Sequence, residues 1–580
     1  MRSDRALLML GVENKEVFSM NFYKGVDISS LPELEDKGVK FYAENNEECE
    51  ALELCKRNGV NSIRLRIWNE PQRVPEAAGY CDLAHTLSFA KRIKEKELHF
   101  MLDFHYSDWW ADPGKQTKPY AWKELTGEAL EQAVYDYTKH VLESLKAQGT
   151  LPDMVQIGNE IRSGMLFPDG EVPNFTQLAK LVNAGIRATR EVSAEIQVMI
   201  HLDQGGKYYY LREWFDAMFA AGMADIDVIG ISFYPFWHGT FTDLKHSMEG
   251  LIERYKIPVI VVETAHPWRR SVDGFVTEDQ EKIAGFPAGI EEQKQVMQLL
   301  MNIVASVENG MGQGVYYWEP LVVPVEGQGS WANNMGVLNE SGKVLPGLAE
   351  FGFTREQLCK EKIAKIYHAE PIVVELGKEV ILPQQIEVLR YDGERYRYSV
   401  AWEQVSMDVC GEYLLTGTLA EINEKTQIQV SVVDKLPERE NLVKNADFQA
   451  GQANWMMVDK FKNVTVEINQ EEAYLQVNSN QNFDFAIMQD VQITQAGNYQ
   501  LSVSYRGTNT TDVKVRLYGE QVSGGELVKV EKIIYPTDEQ WMDYDIYDIE
   551  LQQGVFTVGI EMKTPPVIGK IKELRLYRIS

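Results

Sequence analysis

An α/β fold class is predicted, a (β/α)8 barrel followed by two all-β sandwich domains, and three observations predict it. Eight short apolar runs between Phe22 and about Gly352 each end in polar residues, and stretches of helical periodicity separate them. After about Ala369 the helical stretches cease and only short alternating patterns remain. Strand-helix alternation means parallel strands joined by helical crossovers, and eight such units suit a closed barrel. A doubly wound open sheet fits less well, because no glycine-rich phosphate loop follows the first run.

The eight runs are YKGVDIS (23–29), SIRLRIWNE (62–70), HFMLDFHYSD (99–108), MVQIGNE (154–160), IQVMIHLD (196–203), DVIGISFYP (227–235), PVIVVET (258–264) and GVYYWEP (314–320). Helical spacing of apolar residues marks Glu47–Arg57, Leu83–Lys96 and Glu128–Gln148 among the crossovers. The barrel is expected over 22–368, behind an N-terminal extension of 1–21. Residues 369–437, with PIVVEL, RYRYSVAW, GEYLLTGTL and QIQVSVV, read as a small Ig-like sandwich serving as a spacer. The charged stretch DKLPEREN (434–441) reads as a linker, and 438–580, with longer strands, as a jelly-roll domain.

Composition removes whole classes of function. The 580 residues carry 58 Lys and Arg against 86 Asp and Glu, a net charge of −28. That balance disfavours a nucleic-acid partner or an anionic membrane surface, both of which need clustered cations. No run of 18 apolar residues exists, so no membrane span is expected. The five cysteines, Cys49, Cys55, Cys81, Cys359 and Cys410, form no CxxC pair, which argues against a zinc ribbon or a disulfide scaffold. The apolar stretch Ala6 to Leu10 is too short for a signal-peptide core. The expectation is a cytoplasmic chain if the sequence is whole, or a secreted or cell-surface one whose signal has been removed.

In a barrel the chemistry lies at the C-terminal ends of the strands. The polar residues ending the runs are Asp27, Arg66 and Asn69, Asp103 and His105, Asn159 and Glu160, His201, Tyr234, Glu263, and Trp318. Two of them are carboxylates placed just past apolar strands. Glu160 ends the fourth run and Glu263 the seventh, and these strands face each other across an eight-stranded ring. A facing pair of carboxylates suits glycoside hydrolysis, one protonating the leaving oxygen and the other attacking the anomeric carbon. Each glutamate alone would be an ordinary loop acid; their equivalent positions make the pair informative.

KGVDISSLPELE (24–35), RLRIWNEP (64–71), DFHYSDWWADPGKQTKPYAW (103–122), VQIGNE (155–160), SFYPFWHG (232–239) and YYWEPLVVP (316–324) resemble glycoside hydrolase family 53, the endo-β-1,4-galactanases, over about 22–352. The resemblance implies Glu160 as acid/base and Glu263 as nucleophile. It also implies Asn159 at the sugar 2-hydroxyl, Tyr234 hydrogen-bonded to the nucleophile, and Trp318 as the stacking floor. Asp103, His105, Asp108 and Trp109 would line the groove. Arg66 is expected as the cation that keeps Glu263 ionised. His105 as a metal ligand is the lesser reading, because no HxH or HExxH companion exists. The implied activity is retaining endo-hydrolysis of β-1,4-galactan, the side chain of pectic type I arabinogalactan. Its rivals are a related clan enzyme on mannan or cellulose, and a silent glycan-binding protein.

No organic cofactor is implied. Some family members hold calcium in the loop after the seventh strand. Here Arg269 and Arg270 stand where oxygen ligands would be wanted, and Asp273, Glu278, Asp279 and Glu281 lack the spacing of a loop site. Calcium is therefore not expected in the barrel, while a jelly-roll domain could hold a structural one. NLVKNADFQAG (441–451) resembles the opening of jelly-roll carbohydrate-binding modules, with Trp455, Phe483, Phe485 and Trp541 as stacking candidates for which core packing is the better reading.

Overall fold

The computed structural model describes residues 22–579 except 272, 278–279, 282–283, 370, 436–439, 480–482, 508–513, 524–525, 535–540 and 565–566. The expected extension over 1–21, the linker core at 436–439, and Glu278 and Asp279 lie outside the described residues. The chain forms two compact units. One runs to Ala369 and takes in Pro383–Trp402 and Gly417–Thr426; the other comprises Glu370–Leu382, Glu403–Thr416 and Gln427–Ser580. The segment expected as one Ig-like domain is thus divided between them.

In the first unit eight parallel strands close a barrel: β1 (Tyr23–Asp27), β2 (Ser62–Ile67), β3 (His99–Phe104), β4 (Met154–Ile157), β5 (Gln197–Leu202), β6 (Val228–Ser232), β7 (Val259–Glu263) and β8 (Gly312–Trp318). Each pairs with its sequence neighbours, and β8 closes on β1 with Asp27 opposite Trp318. Strands β2 and β7 are buried along their whole length. Parallel strands covered on both faces read as near-continuous apolar runs.

Alternation along the strands sends one set of side chains outward to the helices and the other inward. The inward set builds a packed plug at the bottom of the barrel, from Tyr23, Met101, Met154, Met199, Val228, Ile260, Val262 and Tyr316. Tyr316 fits because its register partner on β1 is Gly25: a Cβ there would stand 2.1 Å from its ring. Above the plug the inward residues become polar, and a cleft opens.

The outer helices follow local rules. Phe175–Val192 is capped by the Asn174 side chain and buries Leu178, Leu181, Val182 and Ile186 at helical spacing. Phe241–Tyr255 starts with a capping box between Thr240 and Asp243. The antiparallel strands Gln385–Arg390 and Arg395–Trp402 join this unit, their turn fastened to the Phe241–Tyr255 helix by Lys245 donating to Glu394 at 2.7 Å and Thr242 to the Gly393 carbonyl at 2.7 Å.

In the second unit Ile372–Glu375 pairs parallel with the end of Glu424–Val433. Two five-stranded sheets follow, packed over Leu475, Phe485, Ile487, Val503, Leu517, Val558 and Ile560. Trp455, Phe483 and Phe485 belong to that core. Trp541 alone of the four stacking candidates stays half-exposed, with its ring 5.8 Å from Tyr474.

Candidate active site

At the C-terminal ends of the strands lies a cleft of about 400 Å³. Asp27, Arg64, Arg66, Asn159 and Glu263 form its floor; Trp110, Trp318 and Trp331 form an aromatic wall, extended by Trp237 and Phe275. Trp318 touches Trp331 edge-on at 4.6 Å and Trp110 at 5.8 Å. Flat apolar rings beside fixed polar groups suit a pyranose, which has one apolar face and hydroxyls around its rim.

Arg64 organises the floor. Its Nη1 donates to Asp27 at 2.8 Å and to Glu263 at 2.9 Å; its Nη2 donates to Asp103 at 2.9 Å and to Asn159 Oδ1 at 3.0 Å. The side chain is 1 % exposed. A buried guanidinium survives there because its five N–H groups find fixed acceptors. The opposite edge of Glu263 accepts from the Tyr234 hydroxyl at 3.2 Å. Glu160 follows a sharp turn in which Gly158 takes φ +79° and Glu160 itself φ 47°. Only glycine adopts the first without strain, and the second is a sparsely populated setting for a side chain. The turn points the carboxyl at Ser232, whose Oγ lies 2.6 Å from Glu160 Oε1.

The two carboxyls differ in their surroundings. Burial pushes Glu263 up to about 7; Arg64 pulls it back, and Asp27 and Asp103 add to the rise. Burial raises Glu160 well above the usual carboxylate range, with the charges of Glu263 and Asp203 reinforcing it. Glu263 is therefore the first of the pair to ionise, and Glu160 keeps its proton. For a reaction that needs Glu263 ionised and Glu160 protonated, kcat/KM falls as pH drops through about 7. We expect an acid limb in the pH profile near neutrality; a limb near pH 4 would show that Arg64 outweighs burial.

The other expected residues divide into lining and support. Arg66, His105, Asn159, Tyr234 and Trp318 line the cleft with Asp27 and the two glutamates. Arg66 is not the cation beside Glu263: one pleat above Arg64, it donates to Glu319 at 2.5 Å and to Ser30 at 3.0 Å, and lies 4.2 Å from the Trp110 ring centre. Asp103 and His201 are fully buried and support the floor from behind. Asp108 accepts the backbone N–H groups of Glu70 and Tyr120, so it shapes loops and leaves the groove to others. Trp109 stacks on Trp68 at 6.0 Å, and its neighbour Trp110 takes the cleft position. Asn69 lies outside the lining; its backbone N–H donates to the Ser107 carbonyl at 2.9 Å.

Arg64, Trp110, Asp203, Ser232, Trp331 and Glu319 escape sequence reasoning. For Arg64 and Ser232 a signal existed, since each shares the inward parity of a residue already singled out, Arg66 and Tyr234.

Both ring nitrogens of His105 are engaged, Nε2 with Asp103 at 3.1 Å and Nδ1 with the Trp68 indole and the Ala111 N–H. Among the described residues no three His, Cys, Asp or Glu side chains converge as a metal site. In the loop after β7 Arg269 pairs with Glu340 at 2.5 Å and Arg270 with the buried Glu281 at 3.0 Å. No described helix is long and apolar enough to cross a membrane.

Known proteins share this barrel. The family model "Glycosyl hydrolase family 53" matches residues 23–351. A Niallia circulans chain described as an uncharacterized protein in the bgaB 5' region is 43% identical over 331 residues, 55% of this chain and 89% of that one. A probable arabinogalactan endo-beta-1,4-galactanase A of Aspergillus terreus is 37% identical over 324 residues, 54% of this chain and 87% of that one. The solved GH53 catalytic domain of Ignisphaera aggregans is 38% identical with a TM-score of 0.54, covering 58% of this chain and 96% of its own. With the family model spanning the whole closed barrel and its cleft, the chain belongs to glycosyl hydrolase family 53 and is a glycoside hydrolase.

Proposed function

We propose that the barrel hydrolyses β-1,4-galactosidic bonds within type I arabinogalactan by retaining double displacement. One observation carries this reading: a single cleft holds two carboxyls in different electrostatic settings, Glu263 clamped by Arg64 and Tyr234, and Glu160 beside Ser232 with no cation among the described residues in hydrogen-bond contact. The first is suited to attack as an anion and the second to donate a proton. Glu263 attacks the anomeric carbon while Glu160 protonates the departing glycosidic oxygen. Glu160 then takes a proton from water, and that water releases the sugar from Glu263. Trp318 and the rings beside it hold the pyranose by its apolar face.

The galactan substrate is supported by the similarity to the probable arabinogalactan endo-beta-1,4-galactanase A of Aspergillus terreus. Purified galactan, mannan and cellulose, offered side by side, test it. Galactan should be cut internally, and the first products should keep the β configuration. Inverted products, or equal rates on mannan, would end this reading.

The pairing of Arg269 with Glu340 and Arg270 with Glu281 leaves the loop after β7 poorly suited to calcium. Chelator should leave hydrolysis of short galacto-oligosaccharides unchanged. A loss restored by added calcium would show a site in that loop.

A further inference from the structure

We propose that His201 and Ser232 form a one-way hydrogen-bond relay that offers Glu160 an acceptor, and so holds it as the acid between turnovers. The inference rests on the acid/base role proposed above for Glu160.

The argument starts from proton counting. Arg64 Nη2 lies 3.0 Å from one side-chain atom of Asn159, and a guanidinium can only donate, so that atom is Oδ1. The amide nitrogen correspondingly donates to the Ala111 carbonyl at 2.8 Å. His201 Nδ1 lies 3.0 Å from the same Oδ1. Two lone pairs facing each other at that distance repel, so Nδ1 carries the ring proton. The nearby Gln156 amide does not require Nδ1 as an acceptor, because it donates to Asp103 at 2.6 Å and has the Gly158 carbonyl at 3.1 Å. Burial holds the imidazole neutral, and Arg64, His105 and His238 reinforce this. A neutral ring protonated at Nδ1 has only a lone pair at Nε2.

That lone pair lies 2.8 Å from Ser232 Oγ. Ser232 has a single proton and two neighbours, His201 Nε2 and Glu160 Oε1. His201 Nε2 can accept and cannot donate, so the serine proton goes there. Toward Glu160, 2.6 Å away, Ser232 then presents oxygen lone pairs. A protonated Glu160 completes the chain; an ionised one faces them without a proton between. After Glu160 gives its proton to the leaving group, either that contact is repulsive or Ser232 rotates and leaves His201 without a donor. Both favour recapture of a proton from the incoming water.

Other groups act on Glu160 as well. Glu263 on β7 and Asp203 after β5 oppose its ionisation, Arg64 on β2 favours it, Tyr234 lies beside both glutamates, and Arg162 neutralises part of Asp203 at 2.8 Å. The relay adds an influence whose direction is measurable. Were Ser232 a donor to the carboxylate, removing its hydroxyl would raise the basic limb of the pH profile. In the relay it is an acceptor from the acid, and removal lowers that limb.

The experiment is the pH dependence of kcat/KM on galactan for the full chain, Ser232→Ala and His201→Phe, with melting temperatures to establish folding. Both variants should move the basic limb down by about half to one pH unit, the worth of one net hydrogen bond. His201→Phe acts by freeing the serine proton for Glu160. An unmoved or raised limb in Ser232→Ala overturns the relay; should His201→Phe fail to fold, Ser232→Ala decides alone. Glu160→Ala on an activated aryl galactoside separates the two ideas. A basic limb that persists there refutes the acid role of Glu160, whereas its loss together with an unmoved limb in Ser232→Ala refutes only the relay.

Discussion

On the proposed mechanism, replacing Glu263 by alanine should lower turnover by about five orders of magnitude or more while the protein stays folded, because no other described residue is placed to form the glycosyl intermediate. The side chain is 6 % exposed, and a buried carboxyl raised to about 7 is a burden on folding at higher pH, so its loss costs little stability. Glu160→Ala behaves differently. An aryl leaving group departs without protonation, so activated galactosides should lose far less than galactan does. External azide distinguishes the two positions. It should restore turnover of Glu160→Ala with a product of retained configuration, by intercepting the Glu263 ester. In Glu263→Ala it should give the inverted product, by filling the space of the nucleophile itself. Equal, small losses at both positions would refute the assignment.

The second large effect is expected at Arg64. Removing it leaves Asp27, Asp103 and Glu263 buried together without the cation they share. Breaking a buried ion pair from one side costs about 3–5 kcal/mol, and here three carboxyls lose one partner. Arg64→Met should therefore lower the melting temperature of the barrel clearly and leave almost no activity. Arg64→Lys keeps the charge but not the fork, since one ammonium cannot reach Asp27, Glu263, Asp103 and Asn159 at once. It should recover part of the stability and little of the rate, and Glu263, less well held as an anion, should move the acid limb to higher pH. Wild-type stability and pH profile in Arg64→Lys would show that the shared geometry is unimportant.

The barrel was legible because each strand is a dense apolar run with polar residues at its end, and parallel strands covered on both faces leave that mark. Glu160 and Glu263 were legible for the same reason, being charges placed where an apolar run stops. Depth was not legible. Arg64 and Arg66 share one parity on β2, so the pattern shows that both point inward. It does not show which of them reaches β7, and the deeper one does. Trp109 and Trp110 pose a similar problem, since a loop has no period to say which indole turns to the cleft. Trp331 and Phe275 come from long irregular segments, where only the closed ring of strands brings Trp331 beside Trp318 and Phe275 against Trp331. Parity turns Ser232 inward, but the role of its hydroxyl depends on His201, on a different strand.

In and behind the floor beneath the aromatic wall, the buried carboxyl groups Asp27, Asp103, Glu263 and Glu319 surround two buried guanidinium groups, Arg64 and Arg66. A resting sugar is neutral and gains little from that imbalance. As the glycosidic bond lengthens, however, the anomeric carbon and ring oxygen become positive. The protein has already borne the cost of crowding these acids when it folds, and nothing need reorganise when the charge appears. On the proposed mechanism the cleft is a standing counter-ion for a cation that exists only at the top of the barrier, which gives a role to acids that a neutral resting sugar does not need.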